Sequence, residues 1–350
     1  TLGEKKQDRY ILPVYPVLSI MAAVGLTQVW RARYRWLLAS VALVQAGLVI
    51  ANHPYYFTYY NPLLGGIQGA QHLVTIGWGV GLDMAADYLN QKPDAERLRV
   101  AAWYQSTFAP FFKGEAISYA KEKGKALSGQ YVVFYINQLQ RRFPDDELFR
   151  YFEEHYQPEA VIRIKGVDYV VIYPGPGMQH YVEDRVDEDR RVYRGIAALL
   201  GWDWLIPVSR EARAGVQVPD SSQGVPVVVG GSQLPFRLYW EYLGMAPEER
   251  FFFRLVAGDG RTLSEGISQP LLNETGDPLT WRSGQIITEL GELPIPANLP
   301  SGDYPLQIGF YTRAPAVPEG ELIFALPPEE ARVHVEAALP AEPTSAEVEP

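Results

Sequence analysis

Two apolar blocks open the chain, and everything after them alternates. Residues 10–30, YILPVYPVLSIMAAVGLTQVW, hold no charged side chain, and about 20 apolar residues suffice to cross a hydrocarbon layer of about 30 Å. Pro13 and Pro16 fall in the first turns, where a missing N–H costs least. Tyr10, Tyr15 and Trp30 mark headgroup levels. The second block, 36–52, is shorter and runs into an aromatic cluster, HPYYFTYY at 53–60, suited to a membrane interface. A secretory signal peptide is the competing reading of the first block. A second apolar block only five residues later, with no small-residue cleavage site between them, argues against it.

Past residue 60 the periodicity changes. NPLLGG (61–66) reads as a turn, and GWGVGLDMAADYLN (77–90) places Leu82, Ala85, Ala86 and Leu89 at helical spacing. Runs rich in β-branched and aromatic residues follow at 98–104, 131–136, 160–164 and 167–175, with helical patterns at 115–125 and 145–156. That alternation predicts a small α/β domain. Pro144 is expected in the first turn of the latter helix, with Asp145, Asp146 and Glu147 complementing its dipole. From about 215 the pattern is short strands and turns without a helix: VPVVV, PFRLYWEYL, RFFFRLVAGDG, QIITELGELPIP and GDYPLQIGFY.

The expected fold is therefore a membrane α-helical hairpin of two spans, a small α/β domain and a C-terminal antiparallel β-sandwich. In residue terms, 1–60 carries the spans (about 10–30 and 36–52), 61–200 the α/β domain, 201–336 the sandwich and 337–350 a disordered tail rich in Pro, Ala and Glu.

Charge refines the topology. The loop between the spans carries Arg31, Arg33 and Arg35 for +3, while Glu4, Lys5, Lys6, Asp8 and Arg9 sum to +1, so the loop is expected in the cytoplasm and both termini outside. The whole chain is acidic, -10 from 31 basic and 41 acidic residues, with no long basic run, which sets nucleic acid aside as a partner. It has no cysteine, so disulfides, thiolate metal sites and cysteine nucleophiles are excluded.

Candidate chemistry is sparse. Gly77, Gly79 and Gly81 enter a helix as a phosphate-binding turn would, but the expected acid after the next strand is absent, so a tight loop docking the helix is the simpler reading. The five histidines, His53, His72, His155, His180 and His334, lack metal-ligand spacing. There is no GxSxG elbow and no phosphate loop with GK[ST]. Trp240 and Trp281 are candidates for stacking on sugar rings, although period-two alternation around them favours core packing. Lys5, Lys6 and Arg9 stand just outside the first span, either as simple flanking charges or paired with a lipid phosphate.

A family resemblance sharpens these readings. KKQDRYILPVYPVLSI (5–20) resembles the late transmembrane segment of GT-C class membrane glycosyltransferases, the protein O-mannosyltransferase-like and aminoarabinose-transferase-like families of bacteria. YYFTYYNPLLGG, GWGVGLDMAADYLN, VDYVVIY, PLTWRSGQ and LPSGDYPLQIGFY are also similar to such sequences, with Val80 where an acid is common. The resemblance covers most of 1–335 but only the C-terminal portion of the family, which implies a truncated record of a longer protein. It implies transfer of a sugar from a polyprenyl-phosphate donor to a glycan, lipid or protein acceptor at the external membrane face, by inverting displacement with phosphate leaving.

The general base, and any divalent metal, would then lie upstream of this chain, which itself would hold no catalytic residue or cofactor. Lys5, Lys6, Arg9 and Tyr10 would contact the lipid phosphate. The rival from another class is a non-enzymatic membrane-anchored surface protein whose sandwich binds carbohydrate or protein. A membrane-anchored hydrolase is weaker, since no carboxylates stand in a catalytic arrangement.

Overall fold

The computed structural model describes residues 14–31, 35–182, 192–193, 195, 197–205, 225–244, 250–270, 277–311 and 331–337. The chain divides into two units, Thr1–Leu73 and Val74–Pro350.

In the first unit the two apolar blocks are helices, α1 (Val14–Arg31) and α2 (Arg35–Ala51), which touch each other. Their hydroxyls turn inward onto the backbone. Ser19 donates to the Tyr15 carbonyl at 2.8 Å, Thr27 to Val24 at 2.7 Å and Ser40 to Trp36 at 3.0 Å. What remains outward is mostly apolar, with Gln28 and Gln45 the uncharged polar exceptions: Ile20, Leu43 and Ile50 are 67%, 73% and 75% exposed, and no residue of α2 is buried. An 18-residue helix is about 27 Å long, short of about 30 Å of hydrocarbon. Among the described residues no single helix is long and apolar enough to cross a membrane; α2 and the run Tyr56–Leu64, bent by 107°, reach that length and composition together. The second expected span, 36–52, is thus the single helix α2, which alone falls short of that length. Asn61 caps the turn Pro62–Leu64 by accepting from the Leu63 N–H at 3.0 Å, and α3 (Gly66–Leu73) closes the unit.

The second unit holds two sheets. Helix α4 (Leu82–Asn90) buries Leu82, Ala85, Ala86 and Leu89, the expected stripe. The smaller sheet comprises β1 (Arg99–Ala102), β2 (Glu115–Ile117), β3 (Tyr131–Tyr135), β4 (Ala160–Ile164) and β5 (Val167–Pro174), ordered β2-β1-β3-β5-β4. β1 runs parallel to β2 and β3, while β5 is antiparallel to β3 and β4. Lys165 and Gly166, both with positive φ (52° and 77°), make the two-residue hairpin between β4 and β5.

Helices α5 (Gln105–Phe108), α6 (Ile136–Arg141) and α7 (Asp146–His155) complete this part. The helix expected at 115–125 is instead β2 followed by a 3-10 segment, Lys123–Ser128. Pairing of Glu115–Ile117 with central strand β1 overrides the local helical pattern. Pro144 precedes α7 and does not sit in its first turn. The cap is Asp145, whose carboxylate accepts from the Glu147 and Leu148 N–H groups.

The larger sheet is β-sandwich-like. It contains β6 (His180–Tyr181), β7 (Val192–Tyr193), β8 (Ala197–Trp204), β9 (Val227–Val229), β10 (Gln233–Tyr242), β11 (Arg250–Val256), β12 (Thr262–Pro270), β13 (Ile286–Pro294), β14 (Gly302–Tyr311) and β15 (Arg332–Glu336). The path is β6-β8-β10-β13-β12-β11-β14-β15-β9, with β7 beside β8, and β12 turns the corner by pairing first with β11 and then with β13. Gly266 sits at that corner, where a Cβ would lie 2.2 Å from the Glu292 carbonyl.

Alternate residues Leu234, Phe236, Leu238 and Trp240 of β10 pack with Phe251, Phe253 and Leu255 of β11 and Leu306 and Ile308 of β14. The opposite face is buried as well. Leu200, Tyr239 and Ile286 join Phe134, Phe149, Phe152 and Tyr173 of the smaller sheet and its helix in a second core. Double-sided burial explains why every residue of β8 is buried, although that strand straddles the expected boundary at residue 200.

Candidate functional site

Of the residues singled out in the sequence, Lys5, Lys6, Arg9 and Tyr10 lie outside the described residues, as do 338–350 of the expected tail. Trp240 is fully buried between Phe251 and Trp281, its ring 5.5 Å and 5.4 Å from theirs. Trp281 is 8% exposed and stacks edge-on against Tyr242 as well. Neither indole offers a free face, so sugar stacking at Trp240 and Trp281 is corrected to core packing.

The glycine turn is likewise occupied by its own protein. The Tyr135 hydroxyl accepts from the Gly79 N–H at 2.9 Å and donates to the Val80 carbonyl at 3.2 Å, while Asp83 takes the Gly81 N–H. The three glycines have φ of 105°, 88° and 90°, and a Cβ on Gly77 would lie 2.6 Å from the Tyr135 ring. Those amides are spent on docking α4, not left for a phosphate. Among the described residues no group of three His, Asp or Glu side chains could hold a metal ion. His180 stacks on Trp202 at 5.0 Å, and burial pushes its pKa down.

A cleft among the described residues of the second unit is lined largely by polar side chains. Its volume is about 370 Å³, and it lies at the start of β1 and β3, opposite the end of the sheet that carries the glycine turn. Arg97 and Arg99 flank Leu98 as the chain enters β1. Arg99 Nε holds Glu115 Oε2 at 2.9 Å across the β1–β2 pair. From the other side come Ser128 and Gln130 ahead of β3, and Pro176–Gln179 after β5. Gln130 accepts the Arg99 N–H through Oε1 at 2.8 Å and so joins the two walls.

The second wall is fixed by a buried carboxylate. Asp203 of β8 accepts from the Gln179 N–H at 2.6 Å and from the Tyr239 hydroxyl at 2.8 Å. Burial pushes its pKa up; the hydrogen bonds from Gln179 and Tyr239 and the charge of Arg237 only partly oppose that. Burial also raises the Tyr239 hydroxyl well above the usual phenol range. No local pattern in the sequence marks the whole of this cleft, because its donors come from three separated segments. The one local sign is R-L-R at a strand start, which puts both guanidiniums on one side of Leu98.

No family model and no curated protein matches the sequence. A solved structure described as the C-terminal domain of wzt is similar at 18% identity and a TM-score of 0.28, over 44% of this chain and 81% of that one. Similarity at that level fixes neither fold nor function.

Proposed function

We propose that the chain is the membrane-anchored C-terminal portion of a glycosyltransferase that moves a sugar from a polyprenyl-phosphate donor to an acceptor on the external membrane face. The observation that carries the membrane part is the largely apolar outward surface of α1 and α2, whose Ser19, Thr27 and Ser40 hydroxyls are satisfied within the helices. In water that surface would be a liability. Arg35 lies over the Trp30 ring at 5.0 Å, a cation and an indole where α1 meets α2, as interfaces favour.

The chemical part rests on the GT-C-like sequence stretches. On this reading the enzyme is multi-pass in the cell membrane with both sheets extracytoplasmic, and the base that activates the acceptor lies in a part of the protein upstream of residue 1. Lys5, Lys6, Arg9 and Tyr10 contact the donor's phosphate and stabilise the charge that develops on it as the glycosidic bond breaks. The anchored binding protein loses support in one respect, since the tryptophans that would have stacked on carbohydrate are core.

The test is Arg9→Ala in the full-length enzyme, assayed for sugar release from a polyprenyl-phosphate donor. Loss of one charge-assisted contact to the leaving phosphate lowers turnover by roughly 100-fold while the amount of folded protein in the membrane is unchanged. Unaltered turnover would remove the phosphate-binding assignment.

A further inference from the structure

We infer that the cleft between β1 and the segment after β5 binds a small, oxygen-rich anion, a molecule of about monosaccharide size bearing one phosphate or carboxylate. The inference does not depend on the transferase reading, because it rests on donors that the protein leaves unspent.

The Arg97 guanidinium has no partner among the described residues, and Arg99 uses only Nε on Glu115, which leaves its Nη groups available. Gln130 spends its Oε1 on the Arg99 N–H and Gln179 spends its Oε1 on the Trp204 N–H, so both keep an unpaired amide NH2. Ser128 is 7% exposed and its hydroxyl has no hydrogen-bond partner. Leaving a buried hydroxyl unpaired is costly, and a ligand in the cleft would offer it an acceptor.

Donors therefore outnumber acceptors. The one carboxylate in the lining, Glu115, is already held by Arg99, so the lining carries a net single positive charge in a chain whose formal charge is -10. Such a lining favours an oxyanion over a cation or a neutral molecule. The volume of about 370 Å³ lies near the lower bound of small-molecule sites, which suits a ligand of about monosaccharide size. Pro176 supplies the apolar part, a surface for the C–H face of a ring, while Met178 behind it is buried in the core. The walls are preorganised by Gln130 on one side and Asp203 on the other, so binding need not order them.

The full chain, purified in detergent, can be titrated calorimetrically with glucose 1-phosphate, glucuronate, glucose and inorganic phosphate at low salt. At least one of the two anionic sugars is expected to bind at least tenfold tighter than both glucose and inorganic phosphate, and which one identifies the preferred anion. Arg97→Gln, at an exposed position, is expected to cut that affinity at least tenfold without moving the melting temperature, and Ser128→Ala to reduce it severalfold. Four results would overturn the inference: no binding of either anionic sugar, glucose binding as tightly as they do, inorganic phosphate matching them, or an Arg97→Gln protein with unchanged affinity.

Discussion

Lys123 Nζ stands 2.8 Å from Glu241 Oε1, across 118 residues of sequence, and 2.8 Å from Asp145 Oδ2 at the start of α7. One ammonium thereby ties the 3-10 segment before β3 to α7 and to the end of β10. All three side chains are largely or partly buried. Replacing Lys123 by Met removes the ammonium that the two carboxylates share, at a cost of about 3 kcal/mol. Urea titration followed by tryptophan fluorescence should show the lower midpoint as one shared transition, because the two sheets share a core. A mutant midpoint equal to wild type would mean that the bridge adds nothing.

The glycine turn offers a second check. Gly77→Ala places a methyl group against the Tyr135 ring and forces a left-handed residue to carry a Cβ, which predicts a loss of about 2–3 kcal/mol. Tyr135→Phe removes the partner of the Gly79 N–H and predicts about 1–2 kcal/mol. Thermal denaturation of both variants tests the docking role. A phosphate-binding turn would instead tolerate Tyr135→Phe with little change in stability.

How much could be read from residues alone follows from where the determinants lie. The stripe of α4, the strand runs at 131–136 and 167–175 and the two apolar helices are local patterns, and the structure places each within a few residues of its expectation. Glu115–Ile117 misled because its helical spacing is weaker than its pairing with β1. AALLGWDW at 197–204 carries no alternation, since both of its faces are buried, and so it gave no period to read. The cleft was invisible for another reason. Arg97, Ser128 and Gln179 become neighbours only through the β1–β3 pairing and the Asp203 bond to the loop after β5.

Asp203 sets a pH dependence with a definite sign. Because burial raises its pKa, the folded chain keeps a proton that the unfolded chain releases. The stabilising contribution is therefore full below the ordinary carboxylate range, about pH 4, and is lost as pH rises through the raised folded value. Asp203→Asn keeps an acceptor for the Gln179 N–H and does not titrate. Relative to this variant, wild type should lose melting temperature as pH rises from about 4 to about 8. Parallel curves for the two proteins would contradict the assignment.

The central claim is that α1 and α2 lie in lipid with the two sheets outside, and the absence of cysteine makes it directly measurable. Single cysteines can be placed at Leu43, outward on α2, and at Asp259, in an exposed turn of the larger sheet. Both are then probed in intact cells with a membrane-impermeant maleimide. The account predicts rapid labelling of Asp259→Cys and none of Leu43→Cys until detergent is added. Labelling of Leu43→Cys as fast as Asp259→Cys, before any detergent, would contradict it.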